Sequence, residues 1–416
     1  MIRRILYRAL YYPYFYGLKL AQLPRVLNES TPKIVKDEIV RPDSGSKYAI
    51  VVFYPGFGLD ESLIGLLRAL RGADINTIVV CNGDPGAADM ERLRADAQRI
   101  LLRPNVGRDF GAYRAASLHL AQQGVAATRM LYFNDSVIYL AGEALDRLVR
   151  QLAESDSPVV GTFENHEFDH HLGSYAFSMS GEVFRNPGVQ DFWRRYRPYD
   201  IRPHAIQKGE IGLSRQMKKA ARSVDVIYSI DRLAARLNAL EPAEIVGLAR
   251  YMPQRWRALL IDRTQRGPLG PSESLIEEFG TARPAARRIG PPGLSRVGQG
   301  GAFPRSAADG PGASASALAT AIHGLAKQAL IDLMISDISG RSQAHAGFGL
   351  YHVLMGSPMV KKDLIQRGIY LEQDCSLILA DVPEATRAAI MRQLINRGRP
   401  IHWRGLRAFR YRFGFD

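Results

Sequence analysis

At 416 residues the chain is long enough to bury a full core and to divide into more than one compact unit. With 46% hydrophobic and 23% charged residues it has a globular make-up, which excludes a fibre or a disordered tail. A formal net charge of +14 predicts anionic partners: nucleic acid, an anionic membrane face or a phosphate-bearing substrate.

Only two cysteines occur, Cys81 and Cys375, which argues against a disulfide framework or a thiol-built zinc site and fits a reducing cytoplasm. Residues 1–46 form a basic-aromatic N-terminal segment with no stretch apolar enough to span a bilayer and no signal-peptide core or cleavage site. Arg3, Arg4, Arg8 and Lys19 among Tyr and Phe fit either a segment lying in a headgroup region or a helix packing its aromatics on the protein body.

From Lys47 the pattern alternates between strand and helix. Apolar runs at Tyr48–Tyr54, Thr77–Cys81, Arg99–Leu102 and Arg129–Phe133 read as buried strands, with helices over Ser62–Leu70, Ala88–Ala97 and Gly111–Gln122 between them. Later strands are expected at Pro158–Phe163 and Tyr175–Met179, and helices at Phe192–Tyr196 and Ile211–Ala221. This order predicts an α/β fold with a mostly parallel sheet over residues 47–262, with ligands beyond the carboxyl ends of the strands. Residues 263–316 are rich in Pro, Gly, Ala, Ser and Arg and read as a flexible linker or insertion. Regular, mainly helical structure is expected to resume over 317–416.

Several short motifs fall on the expected ligand edge. Asn105-Val106-Gly107-Arg108-Asp109-Phe110-Gly111-Ala112-Tyr113 lies between strand and helix, where glycines admit a ligand and a helix N-terminus favours an anion. Arg108 suits phosphate there and Asp109 a ribose or base, although a turn with an Asp N-cap accounts for the same residues. Asn134-Asp135-Ser136 ends a buried strand. A carboxylate and amide there suit Mg2+ or Mn2+ bridging to substrate phosphates, and a strand-ending Asx turn is the plainer account.

His166-Glu167-Phe168-Asp169-His170 matches the His-Glu-x-x-His pattern of zinc peptidases, but that chemistry needs both histidines on one helix face. The segment lies between two strand-like runs, so a loop bringing Glu164, His171 and Ser174 towards a sugar fits better. Glu210 opens a helix, where the helix dipole favours an anion, and on the ligand edge it could deprotonate an acceptor hydroxyl. No nucleic-acid recognition module, Walker loop or Gly-x-Ser-x-Gly elbow is found.

Together these blocks resemble the rhamnan synthesis protein F family of polysaccharide glycosyltransferases. The resemblance rests on Asn105–Tyr113, Tyr132–Ser136, His171–Tyr175, Asp191–Trp193 and Gly209–Ser214, and resumes at His345 and Gly356–Lys361. It implies a GT-A-like fold, completed by 317–416, and transfer of rhamnose or a similar sugar from a nucleoside diphosphate donor onto a lipid-linked surface glycan. By the same resemblance Asn134-Asp135-Ser136 takes the place of the metal-binding Asp-x-Asp, and Glu210 that of the catalytic base.

The expectation is therefore an inverting sugar transferase. Glu210 and Asp135 carry the chemistry, with Asp135 also the metal ligand, and Asn105, Gly107, Arg108, Asp109, Tyr113 and Asn134 bind the nucleotide-sugar. Glu164, His171 and Ser174 orient donor or acceptor sugar. Basic charge is expected to hold the chain, peripherally, on the anionic inner face of the plasma membrane. A zinc peptidase and a non-catalytic scaffold of a glycan assembly complex are the competing readings.

Overall fold

The apolar runs become the strands of one twisted sheet. A computed structural model describes residues 2–166, 169–253, 327–397, 404–412 and 415. Its strands are β1 (Lys36–Ile39), β2 (Lys47–Phe53), β3 (Asn76–Asn82), β4 (Arg99–Arg103), β5 (Arg129–Phe133), β6 (Val137–Tyr139), β7 (Val159–Gly161), β8 (Glu164–Asn165), β9 (His171–Leu172), β10 (Ala176–Ser180), β11 (Val224–Val226) and β12 (Met359–Lys361).

Eight strands form the main sheet in the order β1-β4-β3-β2-β5-β10-β7-β11. The four central strands β4, β3, β2 and β5 are mutually parallel. β1 runs antiparallel to β4, and β10 runs antiparallel to both β5 and β7. The fold is thus α/β with a large, mostly parallel sheet.

Continuous apolar runs are needed because both faces of this sheet are covered. Ala49, Val51 and Phe53 of β2 point into one core, which the helices Glu61–Gly72 and Glu143–Glu154 close with Leu66, Leu67 and Leu148. Tyr48, Ile50 and Val52 point into the other, closed by Phe110, Ala116 and Trp193 from the helices Arg108–Gln122 and Pro187–Arg195. Truncating a fully buried leucine such as Leu66 to Ala costs about 2–5 kcal/mol. Cys81 and Cys375 are free and buried in separate cores, and burial pushes both thiols up to about 12.

After the expected linker, which lies outside the described residues, the chain is helical at 327–339, Gln343–Ala346, Phe348–Met355, Glu372–Ile378, Glu384–Asn396 and Gly405–Arg412. This part returns to the sheet domain through β12, which pairs antiparallel with β6 so that Lys361 stands opposite Val137. That register sets Lys361 beside the Asn134-Asp135-Ser136 turn.

The first helix runs from Ile2 to Asn28 straight through Pro13 and Pro24. Two expectations need correction. The helix expected at Gly111 already starts at Arg108, with Gly107 as its N-cap, so Asp109 lies in its first turn and is not its cap. β1 has no counterpart among the expected strands: its residues Lys-Asp-Glu-Ile are mostly exposed, so they carry no apolar alternation.

Candidate functional site

β2 and β5 are parallel neighbours, and from β2 the strand order proceeds to β3 and β4 on one side and to β5 on the other. Such a switch point leaves a crevice beyond the carboxyl ends of the strands. Tyr54 follows β2 and Asn134-Asp135-Ser136 follows β5. Asp135 ties the two ends together, its Oδ2 accepting the Tyr54 N–H at 3.0 Å. Asn134 does form an Asx turn, its Oδ1 accepting the Ser136 N–H at 3.1 Å. Its amide group, however, donates to Asp109 Oδ2 at 2.8 Å, which joins the two motifs into one network.

Asp109 is placed by a tight loop. Gly107 has φ +82°, and a Cβ there would lie 2.2 Å from Pro198 Cβ, so only glycine fits. Arg108 follows at φ +56°, an unfavourable conformation for a side-chain-bearing residue that costs on the order of 1–3 kcal/mol. Such strain concentrates at functional sites, and Arg108 does line the cleft.

Glu210 comes from another element. Ala205–Glu210 winds as a π-helix and passes into the α-helix Ile211–Ala220 at Glu210. π-turns widen the helix and recur at functional sites. A Cβ on Gly209 would lie 2.8 Å from the Phe110 ring, so this glycine lets the π-turn settle against the helix that carries Asp109.

Burial alone would raise the Glu210 carboxyl, but His171 and the Ser174 hydroxyl outweigh it and hold the group below its ordinary value. Ser174 Oγ donates to Glu210 Oε1, and His171 Nε2 stands 3.5 Å from Oε2. His171 Nδ1 donates to the Asp169 carbonyl at 2.7 Å. Burial works against charge on the imidazole, yet Glu210 raises its pKa overall. The pair is therefore a carboxylate beside an imidazole biased towards its charged form.

The neighbouring acids behave oppositely. Burial lifts Asp135 to about 6 against the pull of Lys362 and the Tyr54 N–H. Burial also raises Asp109, against the opposing pull of Arg108.

Basic groups line the same cleft as these acids. Lys361 Nζ donates to Ser136 Oγ at 3.0 Å and sits 4.3 Å from the centre of the Tyr175 ring. Burial lowers its pKa to about 8, and burial lowers Arg202 to about 10. Asp363 organises this side, pairing with His345 Nε2 at 2.8 Å and with Arg367. Burial would raise the Asp363 carboxyl, but these partners hold it far below the usual range. Arg397 also lines the cleft.

The cleft encloses about 480 Å3, within the range of small-molecule sites. Arg108, Asp109, Asn134, Asp135, Glu164, His171, Ser174 and Glu210 all line it. Asn105, Gly107 and Tyr113 do not. The Asn105 carbonyl accepts from Arg25, and the Gly107 N–H donates to Asp200 Oδ1 at 2.6 Å. Tyr113 is core, its hydroxyl donating to the Ser174 carbonyl at 2.8 Å. These three support the loops of the site from behind. A larger hollow of about 1260 Å3 lies between the helices Glu61–Gly72, Glu143–Glu154 and Glu384–Asn396, away from this network.

Sequence reasoning missed Arg202, Asp363, Arg367, Arg397 and Tyr411 of the lining. They come from isolated basic, acidic and aromatic residues with no local motif. Lys361 and His345 were legible only within the closing blocks of the family resemblance.

The zinc-peptidase context fails on geometry. Glu164–Asn165 and His171–Leu172 pair as a two-stranded hairpin, so His166 and His170 sit on its turn and not on a helix. Glu167, the base of that chemistry, lies outside the described residues. His166, His170 and Glu164 do converge, with ligating atoms within 4.8 Å of one another. His170 is engaged otherwise, however: Lys218 Nζ contacts its Nδ1 and donates to its carbonyl at 2.6 Å, and its Nε2 stands 2.7 Å from Glu164 Oε2. This is a hydrogen-bonded ion network.

Among the described residues that convergence of three ligating groups occurs on the hairpin and not around Asp135. Asp135 therefore suits Mg2+ or Mn2+ only in the open manner, as one carboxylate with substrate phosphates and water completing the shell.

No family model matches the chain. It is 27% identical over 207 residues to the "Uncharacterized protein y4gN" of Sinorhizobium fredii, a match covering 49% of this chain and 54% of that protein. The match thus spans about half the length of that relative. Among solved structures, 4-diphosphocytidyl-2C-methyl-D-erythritol synthase aligns with 44% of this chain and 89% of its own, at 13% identity and TM-score 0.29. The glycosyltransferase GlyE of Streptococcus pneumoniae aligns with 46% of each chain, at 8% identity and TM-score 0.27. Likenesses this slight do not bear on the chemistry of the cleft.

Proposed function

We propose that the chain is an inverting glycosyltransferase of GT-A-like fold that moves rhamnose or a similar sugar from a nucleoside diphosphate donor. The observation that carries this reading is the division of one cleft into an acidic wall around Glu210 and a basic wall around Lys361. Sugar transfer needs both: a base at the attacking oxygen and positive charge at the departing diphosphate.

Glu210 takes the proton of the acceptor hydroxyl as its oxygen bonds to the anomeric carbon. The bond from that carbon to the diphosphate oxygen breaks, and its electron pair leaves with the diphosphate. Lys361, Arg202 and Arg108 receive that charge, while Asp109 and Asn134 hold the nucleoside. His171 and Ser174 keep Glu210 ionised and aimed, and Glu164 orients a sugar hydroxyl from the cleft edge. Mg2+ or Mn2+ on Asp135, when bound, would add Lewis-acid neutralisation of the diphosphate.

The acceptor in this reading is a growing cell-surface glycan on a lipid carrier, reached from the cytoplasmic face of the plasma membrane. The resemblance to the rhamnan synthesis protein F family supports the sugar and the acceptor. Calorimetry with a panel of nucleoside diphosphate sugars tests the reading. Micromolar binding of one donor is expected, weakened by Lys361→Ala and spared by Glu210→Gln. Binding of none would make the chain a non-catalytic scaffold.

A further inference from the structure

The helix Ile2–Asn28 is apolar on two sides, one packed on the body and one facing solvent. Surface helices normally turn apolar residues inward and polar ones to water. Here Leu10, Tyr12, Tyr16, Leu20, Leu23 and Leu27 are all exposed, Leu20 by 70%. From Tyr12 to Leu27 their spacing is four, four, three and four, which keeps them on one side of the helix. Some polar residues of the helix also engage the body. Lys19 Nζ sits about 5 Å from the Phe15 and Tyr199 ring centres. Gln22 accepts the Asp200 N–H at 2.8 Å, and Arg25 pairs with the Asp200 carboxylate at 2.8 Å. A separate inner face, Tyr11, Tyr14, Phe15 and Leu18, packs with Ile201, Tyr199 and Phe415.

So wide a row of exposed apolar side chains marks a docking surface. The helix is 27 residues, roughly 40 Å, long, yet none of the described helices is long and apolar enough to cross a membrane. Lying flat in a headgroup layer is the remaining membrane geometry.

The adjoining helix Gly405–Arg412 supplies the matching charge. It meets the first helix through Tyr14 and Phe409, whose ring centres are 5.1 Å apart. Leu406 on it is 62% exposed and stands between the exposed Arg404 and Arg407. An exposed apolar row with exposed guanidinium groups on the contacting helix, on a chain of net charge +14, suits an anionic bilayer. Two copies of this chain would instead bring like charges together.

We infer that the outer faces of the helices Ile2–Asn28 and Gly405–Arg412 together dock the protein on an anionic lipid bilayer. Tyr411 of the second helix lines the cleft, so docking would bring the cleft mouth to the lipid surface. That last step rests on the sugar-transfer reading; the docking itself does not.

Flotation of the full chain with vesicles tests it, without any donor present. The chain is expected to float with phosphatidylcholine vesicles containing roughly a quarter phosphatidylglycerol and to dissociate as salt rises. Tyr16→Asp with Leu20→Asp should lower partitioning at least about tenfold, while circular dichroism and donor calorimetry stay as in the wild type. If that pair misfolds, Leu20→Gln with Leu27→Gln serves with the same readouts. Arg404→Glu with Arg407→Glu should remove the preference for anionic vesicles.

A wild-type chain that stays in the soluble fraction would overturn the inference, as would variants that float like the wild type. So would light scattering that finds a dimer broken by the same substitutions with no vesicle binding. Vesicle binding without any donor binding would leave the inference standing and defeat only the sugar-transfer reading.

Discussion

The two walls of the cleft are built in opposite ways. The acidic wall comes from strand ends and helix starts of the sheet domain, within residues 109–210, and each of its groups is anchored to backbone or to a neighbouring motif. Asp135 holds the Tyr54 N–H, Asp109 accepts the Asn134 amide, and Glu210 sits between Ser174 and His171. Most of the basic wall arrives from beyond residue 340 and is gathered around one ion hub, Asp363. The sheet fixes where chemistry can happen, and the returning C-terminal part supplies charge for the phosphates. The walls therefore predict different lesions, one in turnover and the other in binding.

The largest effect is expected at Glu210. Glu210→Gln keeps the shape and the Ser174 contact but cannot take a proton, so turnover should fall by about 10²–10⁴-fold with donor affinity unchanged. Steady-state kinetics beside donor calorimetry separates the two, and retained turnover would remove Glu210 from the base role. The charge pair adds a stability signature. Glu210 is depressed, so its contribution is present above the ordinary carboxylate value of 4.5 and lost as pH falls through its lower folded value. His171 is raised, so its contribution is full below 6.5 and lost as pH rises through its higher folded value. Wild type minus Glu210→Gln stability should thus peak between those two pH values.

On the opposite wall, Lys361→Ala should weaken donor binding about ten- to a hundredfold, as loss of a charged hydrogen-bond donor does, and slow the chemical step less than Glu210→Gln because Arg202 and Arg108 still receive the diphosphate charge. A nucleoside without its diphosphate should bind both forms alike. Equal loss for that nucleoside would erase the contrast between the walls.

Legibility in the sequence divides along the same line. The central strands were readable because parallel strands buried on both faces must be continuously apolar, as β2, β3 and β5 are. Asn134-Asp135 was readable because polar groups directly after such a strand fall on the crevice edge. The direction of β10 was not, since alternation gives a strand's faces and not its sense. Nor was the π-turn before Glu210, which no residue pattern marks. Lys361 meets Ser136, 225 positions earlier, and the Asp363 hub comes with it. The pairing of β12 with β6 helps bring it there, and spacing along the chain holds no trace of it.

Asp135 sharpens the comparison in stability. Its carboxyl is raised to about 6, so the folded state resists ionising it more than the unfolded state does. That penalty is absent below about pH 4 and complete above about pH 6. Asp135→Asn should therefore stabilise the protein at pH 8 by up to about 3 kcal/mol while reducing transfer. Chemical denaturation at pH 8 and at pH 4 tests this: the gain should vanish at pH 4. Equal stability at both pH values would mean that Asp135 is not held under strain.

The smallest effect is expected on the hairpin. His166 is partly exposed and 3.5 Å from Glu164 Oε2, whereas His170 is bound to that oxygen at 2.7 Å and held by Lys218. His166→Ala should leave metal content and transfer within about twofold of the wild type, as surface changes away from a site do. Zinc quantified by mass spectrometry on the purified chain is the measurement. Stoichiometric zinc lost with His166 would turn the hairpin into a metal centre and shift attention from the cleft's two walls to its rim. Unchanged zinc and unchanged transfer would confine the chemistry to the cleft that Glu210 and Lys361 line.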